Sequence, residues 1–171
     1  MPRPGPLNLI TDVPGLRVGH ATDERCRSGV TTVLVDGFWA ASVDVRGGGP
    51  GSRETEALAP ENVVGRVHGV VLAGGSVFGL GAADGVVAAL SAAGQGLHLK
   101  PGAPAIPLVP SAVLHDLANG GDKQWGLEPP YRRLGIASVD AATRTFELGP
   151  VGAGRGAMAG FIPGGIGSVS L

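Results

Sequence analysis

The stretch Val67-His68-Gly69-Val70-Val71-Leu72-Ala73-Gly74-Gly75-Ser76-Val77-Phe78-Gly79-Leu80-Gly81-Ala82-Ala83-Asp84-Gly85-Val86-Val87 decides the fold. Its apolar run is too short for a helix and ends in a glycine pair. Ser76 then opens a segment rich in Ala, Val and Leu that closes at Gly94. That pattern predicts strand, tight turn, helix, with Ser76 as the helix N-cap. Gly79, Ala82, Ala83 and Gly85 are small enough to let another backbone approach. Glycine inside a helix costs roughly 1 kcal/mol relative to alanine, so several in one helix need a packing or site reason.

The glycine turn has two readings. In the first, N–H groups freed at the helix start bind an anion or a developing oxyanion. In the second it is a close strand-to-helix turn on a crowded sheet, and the residues alone favour this one. A dinucleotide fingerprint is only mimicked, because Asp84 stands at the third glycine position and the first two glycines fall inside the helix. No GxxxxGK[ST] phosphate loop occurs.

Outward from this unit, the 171 residues suit a single domain over 1–171, and 43% hydrophobic with 16% charged indicates a compact globular chain. A net charge of -1 with scattered Lys and Arg argues against nucleic-acid and membrane-surface partners. The start, Met1-Pro2-Arg3-Pro4-Gly5-Pro6, has no apolar core of signal-peptide length and no run reaches membrane-span length, so a cytoplasmic location is expected. The single cysteine, Cys26, excludes an internal disulfide framework and a multi-cysteine metal site, and no cofactor or metal is expected. Thirty-one glycines and 14 prolines punctuate short apolar segments throughout, as in a layered α/β domain with tight turns.

Before the central unit, 9–15 and 16–20 read as extended pieces meeting at Pro14-Gly15. Val30–Val35 reads as a strand ending at an Asp36-Gly37 hairpin, with 39–45 returning. His20 reads as structural. Gly47 to Gly51, all Gly or Pro, are flanked by Arg46 and Arg53: either a cleft wall clamped by the two arginines or a surface loop held by ion pairs. Ser52 with the acidic residues after it suggests a helix start.

Beyond the central unit, 97–99 and 105–110 read as short edge strands, 122–133 as a loop, and 135–140 with 145–148 as a hairpin. His115 and Asp116 are sequence neighbours on an extended segment, so they face opposite ways and cannot pair as a dyad. Gly164–Leu171 alternates as a strand without a closing turn, which leads to the expectation that further polypeptide completes the sheet.

Four stretches, in order, resemble one family. They are Thr11–His20, Asp44–Thr55, Leu72–Leu80, and Val151–Gly154 with Gly164–Ser168. The family is that of the DmpA-type peptidases, the L-aminopeptidase/D-esterases, β-aminopeptidases and aminohexanoate-oligomer hydrolases. The resemblance implies an α/β fold that is part of an αββα four-layer sandwich. It also implies a precursor that cuts itself once, placing a new N-terminal Ser or Thr nucleophile on a downstream β-subunit. The present chain would then be the α-subunit or its N-terminal part.

Its expected partners are the β-subunit from the same precursor, further αβ units in a homo-oligomer, and a small-molecule or peptide amide as substrate. The resemblance further implies substrate-binding roles for Gly74, Gly75, Ser76, Phe78, Val113 and Phe161, with His115 as the candidate catalytic residue. His115 stands where amidases of this kind carry a tyrosine, and Val113 near where the aminopeptidase branch has a glutamate. Phe161-Ile162-Pro163 replaces a lysine found in the oligomer hydrolases. A neutral acyl side, as in a pantetheine-like substrate, follows from Val113. The rival expectation is a non-catalytic small-molecule-binding or assembly protein with the same fold.

Overall fold

The computed structural model describes residues 3–171. After a 3₁₀ turn at Ile10–Asp12, strands β1 (Leu16–Asp23) and β2 (Ser28–Ala40) form an antiparallel hairpin, followed by the two-residue β3 (Ser52–Arg53). Next come β4 (Arg66–Ala73), helix α1 (Ala82–Ala92), β5 (Ser111–Val113) and helix α2 (Tyr131–Asp140). A small hairpin, β6 (Met158–Ala159) with β7 (Ile162–Pro163), lies near the C-terminus. The main sheet has the order β1-β2-β4-β5-β3. Only β4 and β5 run parallel, as expected of strands joined through a helix.

Alternation along the strands gives the sheet two unlike faces. Val30, Leu34, Val71 and Ala73 share a core with Val86 and Leu90 of α1 and Tyr131 and Leu134 of α2. The two helices meet through small residues: a Cβ on Gly85 would run into the Arg132 carbonyl, and one on Gly135 into the Ala82 carbonyl. The other face carries Leu72, 40% exposed, beside the exposed Ala112.

Several expected elements differ. Asp36-Gly37 is not a hairpin; β2 runs through it with a register shift between Leu34 and Trp39, and Gly37 at φ 77 takes up the irregularity. Trp39 folds back, its indole N–H donating to the Asp36 carbonyl at 2.9 Å. Residues 135–140 are helix, not strand, because Tyr131, Leu134, Gly135 and Ser138 are the buried set, a helical spacing masked by two small residues. The segments 97–99 and 105–110 reduce to the single bridge Leu97↔Ile106, and 164–171 to the bridge Gly149↔Ile166. Residues 9–15 contain the 3₁₀ turn in place of an extended piece.

Candidate active site

Where β4 ends, the chain is stitched to the segment after β5. The Leu114 N–H donates to the Ala73 carbonyl, and the Ser76 N–H to the Leu114 carbonyl, both at 3.0 Å. Between them, the Gly75 N–H donates to Asp116 Oδ1 at 2.7 Å. Gly75 (φ 83) and Ser76 (φ 53) are both left-handed, a conformation that a serine holds only when its surroundings enforce it. Ser76 is therefore not an N-cap. The first turn, Ser76–Gly81, is 3₁₀, its cap position is Gly75, and the α-helix begins at Ala82.

Beneath the turn lies a buried polar cluster. Tyr131 Oη donates to Ser28 Oγ at 3.0 Å, and Asp116 is 3% exposed. A Cβ on Gly74 would collide with both Asp116 Oδ2 and Ser28 Oγ, and one on Gly75 with the Tyr131 ring. Glycine is required at both positions by this crowding. Burial pushes the Tyr131 phenol well above its ordinary range, so it stays protonated and a donor.

The N–H groups of Gly74, Gly75 and Ser76 are thus all engaged, the first with the Gly29 carbonyl at 3.0 Å. As it stands the turn is a close strand-to-helix connection, not an open anion cradle. What it offers outward is the half-buried Ser76 and the ring of Phe78, which is 44% exposed and meets Trp125 edge-on at 5.5 Å. His115 is exposed next to the buried Asp116, so the two do face opposite ways.

Val113 is half-buried and lines an apolar cavity of about 280 Å³ with Leu72, Leu114, Ala153, Gly154 and Ile166. No carboxylate lines that cavity. Its floor is fixed by β1 and β2, since the Gly152 N–H donates to Thr22 Oγ1 at 2.9 Å and the Ala153 N–H to Thr31 Oγ1 at 3.0 Å. Gly74, Gly75, Ser76, Val113 and His115 are therefore brought together around the paired segments 73–76 and 113–116. Phe161 is not part of that junction: it is fully exposed between β6 and β7.

The other candidates read as structural. Arg46 pairs with Asp44 at 2.6 Å and Arg53 with Asp84 at 2.7 Å, which gives the ion-paired reading of their loop. Ser52 and Arg53 form β3, and only a 3₁₀ turn, Thr55–Leu58, follows. His20 is held in one tautomer: Nε2–H donates to the Glu147 carbonyl at 3.1 Å, leaving Nδ1 to accept from Thr31 Oγ1 at 2.9 Å. Cys26 is buried, which pushes its thiol up to about 11. Ser168 Oγ accepts the Ile10 N–H at 2.9 Å, and Ser170 Oγ donates to Asp12 Oδ2 at 2.6 Å. Among the described residues, no three His, Cys, Asp or Glu converge as a metal site, and no helix is long and apolar enough to cross a membrane.

The model of peptidase family S58 matches residues 8–171. The chain belongs to peptidase family S58. This S58 chain is 42% identical over 176 residues to an uncharacterized aminopeptidase of Mycobacterium tuberculosis, covering 96% of the chain and 48% of that protein. It is 32% identical over 157 residues to a 6-aminohexanoate-oligomer endohydrolase of Kocuria sp., covering 91% of the chain and 40% of the relative.

Among solved structures, it is similar to the L-aminopeptidase D-Ala-esterase/amidase of Ochrobactrum anthropi, described as a variant of the Ntn hydrolase fold. The TM-score is 0.63 at 20% identity, with 92% of this chain and 46% of that one covered. The fold is therefore that of the αββα sandwich, of which the S58 chain supplies a helix layer and a sheet layer. The chain spans about half the length of the curated relatives it matches.

Sequence reasoning missed Asp116, Ser28 and Tyr131 in the S58 chain. One signal was available: Asp116 is a carboxylate between Leu114 and Leu117, two strongly apolar neighbours in a segment leaving the core.

Proposed function

We propose that this chain is the α-subunit part of a self-processing amide hydrolase whose Ser or Thr nucleophile lies on a companion β-subunit from the same precursor. The observation that supports this most directly is the S58 match over residues 8–171 in a chain spanning about half the length of its relatives. In such chemistry the hydroxyl attacks the amide carbonyl while its own α-amine takes the proton directly or through water; that proton passes to the nitrogen as the C–N bond breaks and the amine departs, and water then hydrolyses the acyl ester to the carboxylic acid and the free hydroxyl. The αβ units assemble further into a homo-oligomer in the cytoplasm.

In this reading the present chain builds one wall of the site. Ser76 and Phe78 border the substrate, joined by Gly74 and Gly75 through their close packing. Phe161 extends that border from the β6–β7 hairpin. Val113 lines the acyl pocket, and His115 exchanges one hydrogen bond near the scissile carbonyl. A buried ammonium without a carboxylate partner costs several kcal/mol. The cavity at Val113 has none, which supports a neutral acyl side such as a pantetheine-like or capped amide.

The test is the mass and N-terminal sequence of the product expressed from the full reading frame. Two chains are expected, the second beginning with Ser or Thr. A single uncut chain would favour the non-catalytic binding or assembly role.

A further inference from the structure

We propose that Asp116 is a positioning residue: its buried carboxylate holds the Gly74-Gly75-Ser76 turn and thereby sets how Ser76, Phe78 and His115 are presented to a substrate. The inference rests on the reading that this turn borders the site of an amide hydrolase.

The placement of Asp116 is unusual for a carboxylate. It is 3% exposed, and among the described residues no Lys, Arg or His stands within ion-pair distance of it. A buried carboxylate without a cation is unfavourable unless hydrogen bonds hold it. Oδ1 has one, from the Gly75 N–H. Oδ2 has no partner, yet it is packed against Gly74 and Ser28, and a Cβ on Gly156 would come within 2.6 Å of it. Two glycines, Gly74 and Gly156, therefore clear the space around this one side chain.

The Tyr131 hydroxyl donates to Ser28 Oγ, and Asp116 Oδ2 lies across Gly74 from that serine without a hydrogen bond of its own. Phenol and serine thus form one buried hydrogen-bonded pair beside the carboxylate, and the Gly75 amide is the donor that Asp116 holds.

An apolar residue of similar volume would serve the core at least as well as a buried charge. What the carboxylate adds is an acceptor for Gly75 immediately before the left-handed Ser76. Remove it, and a buried N–H is left unpaired while one of the two bonds enforcing the Ser76 conformation is lost. Leu114 alone would then hold Ser76. The backbone so held leads directly to exposed Phe78 on one side and exposed His115 on the other.

The test compares Asp116→Ala with Asp116→Asn in the protein expressed from its full reading frame, since asparagine keeps the Oδ1 acceptor. Amide exchange at Gly75 is read by NMR against Val33 in β2 as an internal standard. Asp116→Ala is expected to speed Gly75 exchange by at least about tenfold while Val33 is unchanged, and Asp116→Asn to stay within about threefold of wild type. Amide-hydrolysis kcat/KM is expected to fall at least about tenfold in Asp116→Ala and to be restored in Asp116→Asn.

Unchanged Gly75 exchange in Asp116→Ala, or released Gly75 with undiminished hydrolysis, overturns the proposal. Should Asp116→Ala fail to fold, the through-bond NMR coupling between the Gly75 nitrogen and Asp116 Cγ in wild type, together with the activity of Asp116→Asn, decides: no coupling, or an inactive Asn variant, overturns it. A wild-type protein that hydrolyses no amide defeats the proposed function instead, and the Gly75 exchange then decides the role of Asp116 by itself.

Discussion

Thr32 Oγ1 and Ser138 Oγ lie 2.6 Å apart, both fully buried, and join strand β2 to helix α2. Ser138 donates its only proton to the Gly135 carbonyl at 2.8 Å, so Thr32 is the donor to Ser138. Ser138→Ala is therefore expected to strand the Thr32 hydroxyl and lower stability by about 1–3 kcal/mol. Adding Thr32→Val should cost less than the sum of the two single changes, because it removes the stranded group. Urea unfolding of the two single variants and the double variant measures this; strict additivity would contradict it.

The α1–α2 contact depends on absent side chains. Gly85→Ala puts a methyl group onto the Arg132 carbonyl, and Gly135→Ala one onto the Ala82 carbonyl. Each is expected to lower stability by about 1–3 kcal/mol despite the better helix propensity of alanine, since overpacking exceeds the gain of roughly 1 kcal/mol. Gly81→Ala, with open space around it, is the control and should be neutral or mildly stabilising. Thermal unfolding decides; a stabilised Gly85→Ala would mean the helices sit further apart.

Two histidines set the behaviour at mildly acidic pH. Desolvation lowers the folded-state pKa of His20 and of His68 below the ordinary value of 6.5. As pH falls through about 6.5 the unfolded chain takes up protons first, so stability is lost from there down to the folded pKa values. Asp12, Glu24 and Asp122 are also shifted downward, held down chiefly by the Ser170 hydroxyl, the Arg155 guanidinium and the Gln124 N–H. Their contribution is lost only below about pH 4. Tm should therefore fall between about pH 7 and 5, and less steeply in His20→Gln. A flat or rising Tm over that interval would contradict the assignment.

Cys26 is expected to be inert in the native protein. It is 3% exposed, its thiol is pushed up to about 11 chiefly by burial, and it donates to the Asp23 carbonyl at 3.7 Å. At pH 8 a thiol reagent such as DTNB should react only after unfolding in guanidinium, because the thiolate is the reactive form. Stoichiometric reaction in native buffer within minutes would place Cys26 at the surface.

Where one signal dominated, the sequence was readable. The apolar run 67–73 followed by Gly74-Gly75 could only be a strand and a turn, and the small residues from Gly79 to Gly85 correctly foretold a close backbone contact. Misreadings arose where two signals compete. Asp36-Gly37 has hairpin chemistry, but Gly37 can equally serve a bulge, and the pairing of β2 with β4 continues past it.

Residues 135–140 look like a strand because Gly135 and Ser138 conceal the buried helical face that Tyr131 and Leu134 begin. Ser76 looked like a cap, yet its left-handed backbone is imposed by Leu114 and Asp116, about forty residues away, which no local pattern encodes. Asp116 was likewise seen only as a neighbour that could not pair with His115. Its role emerges from the Gly75 N–H that donates to it and from Gly74 and Gly156 crowding around it.

The most direct test of the central claim is amide hydrolysis, read as release of p-nitroaniline from an N-acylated amino-acid p-nitroanilide and from its free-amine twin. The product of the full reading frame is compared with the 171-residue chain by itself. Turnover by the former and none by the latter is expected, with kcat/KM favouring the N-acylated substrate because the Val113 cavity holds no carboxylate. Turnover by the 171-residue chain alone would contradict the placement of the nucleophile elsewhere. A preference of about tenfold or more for the free amine, equivalent to roughly 1.4 kcal/mol, would contradict the reading of the Val113 cavity.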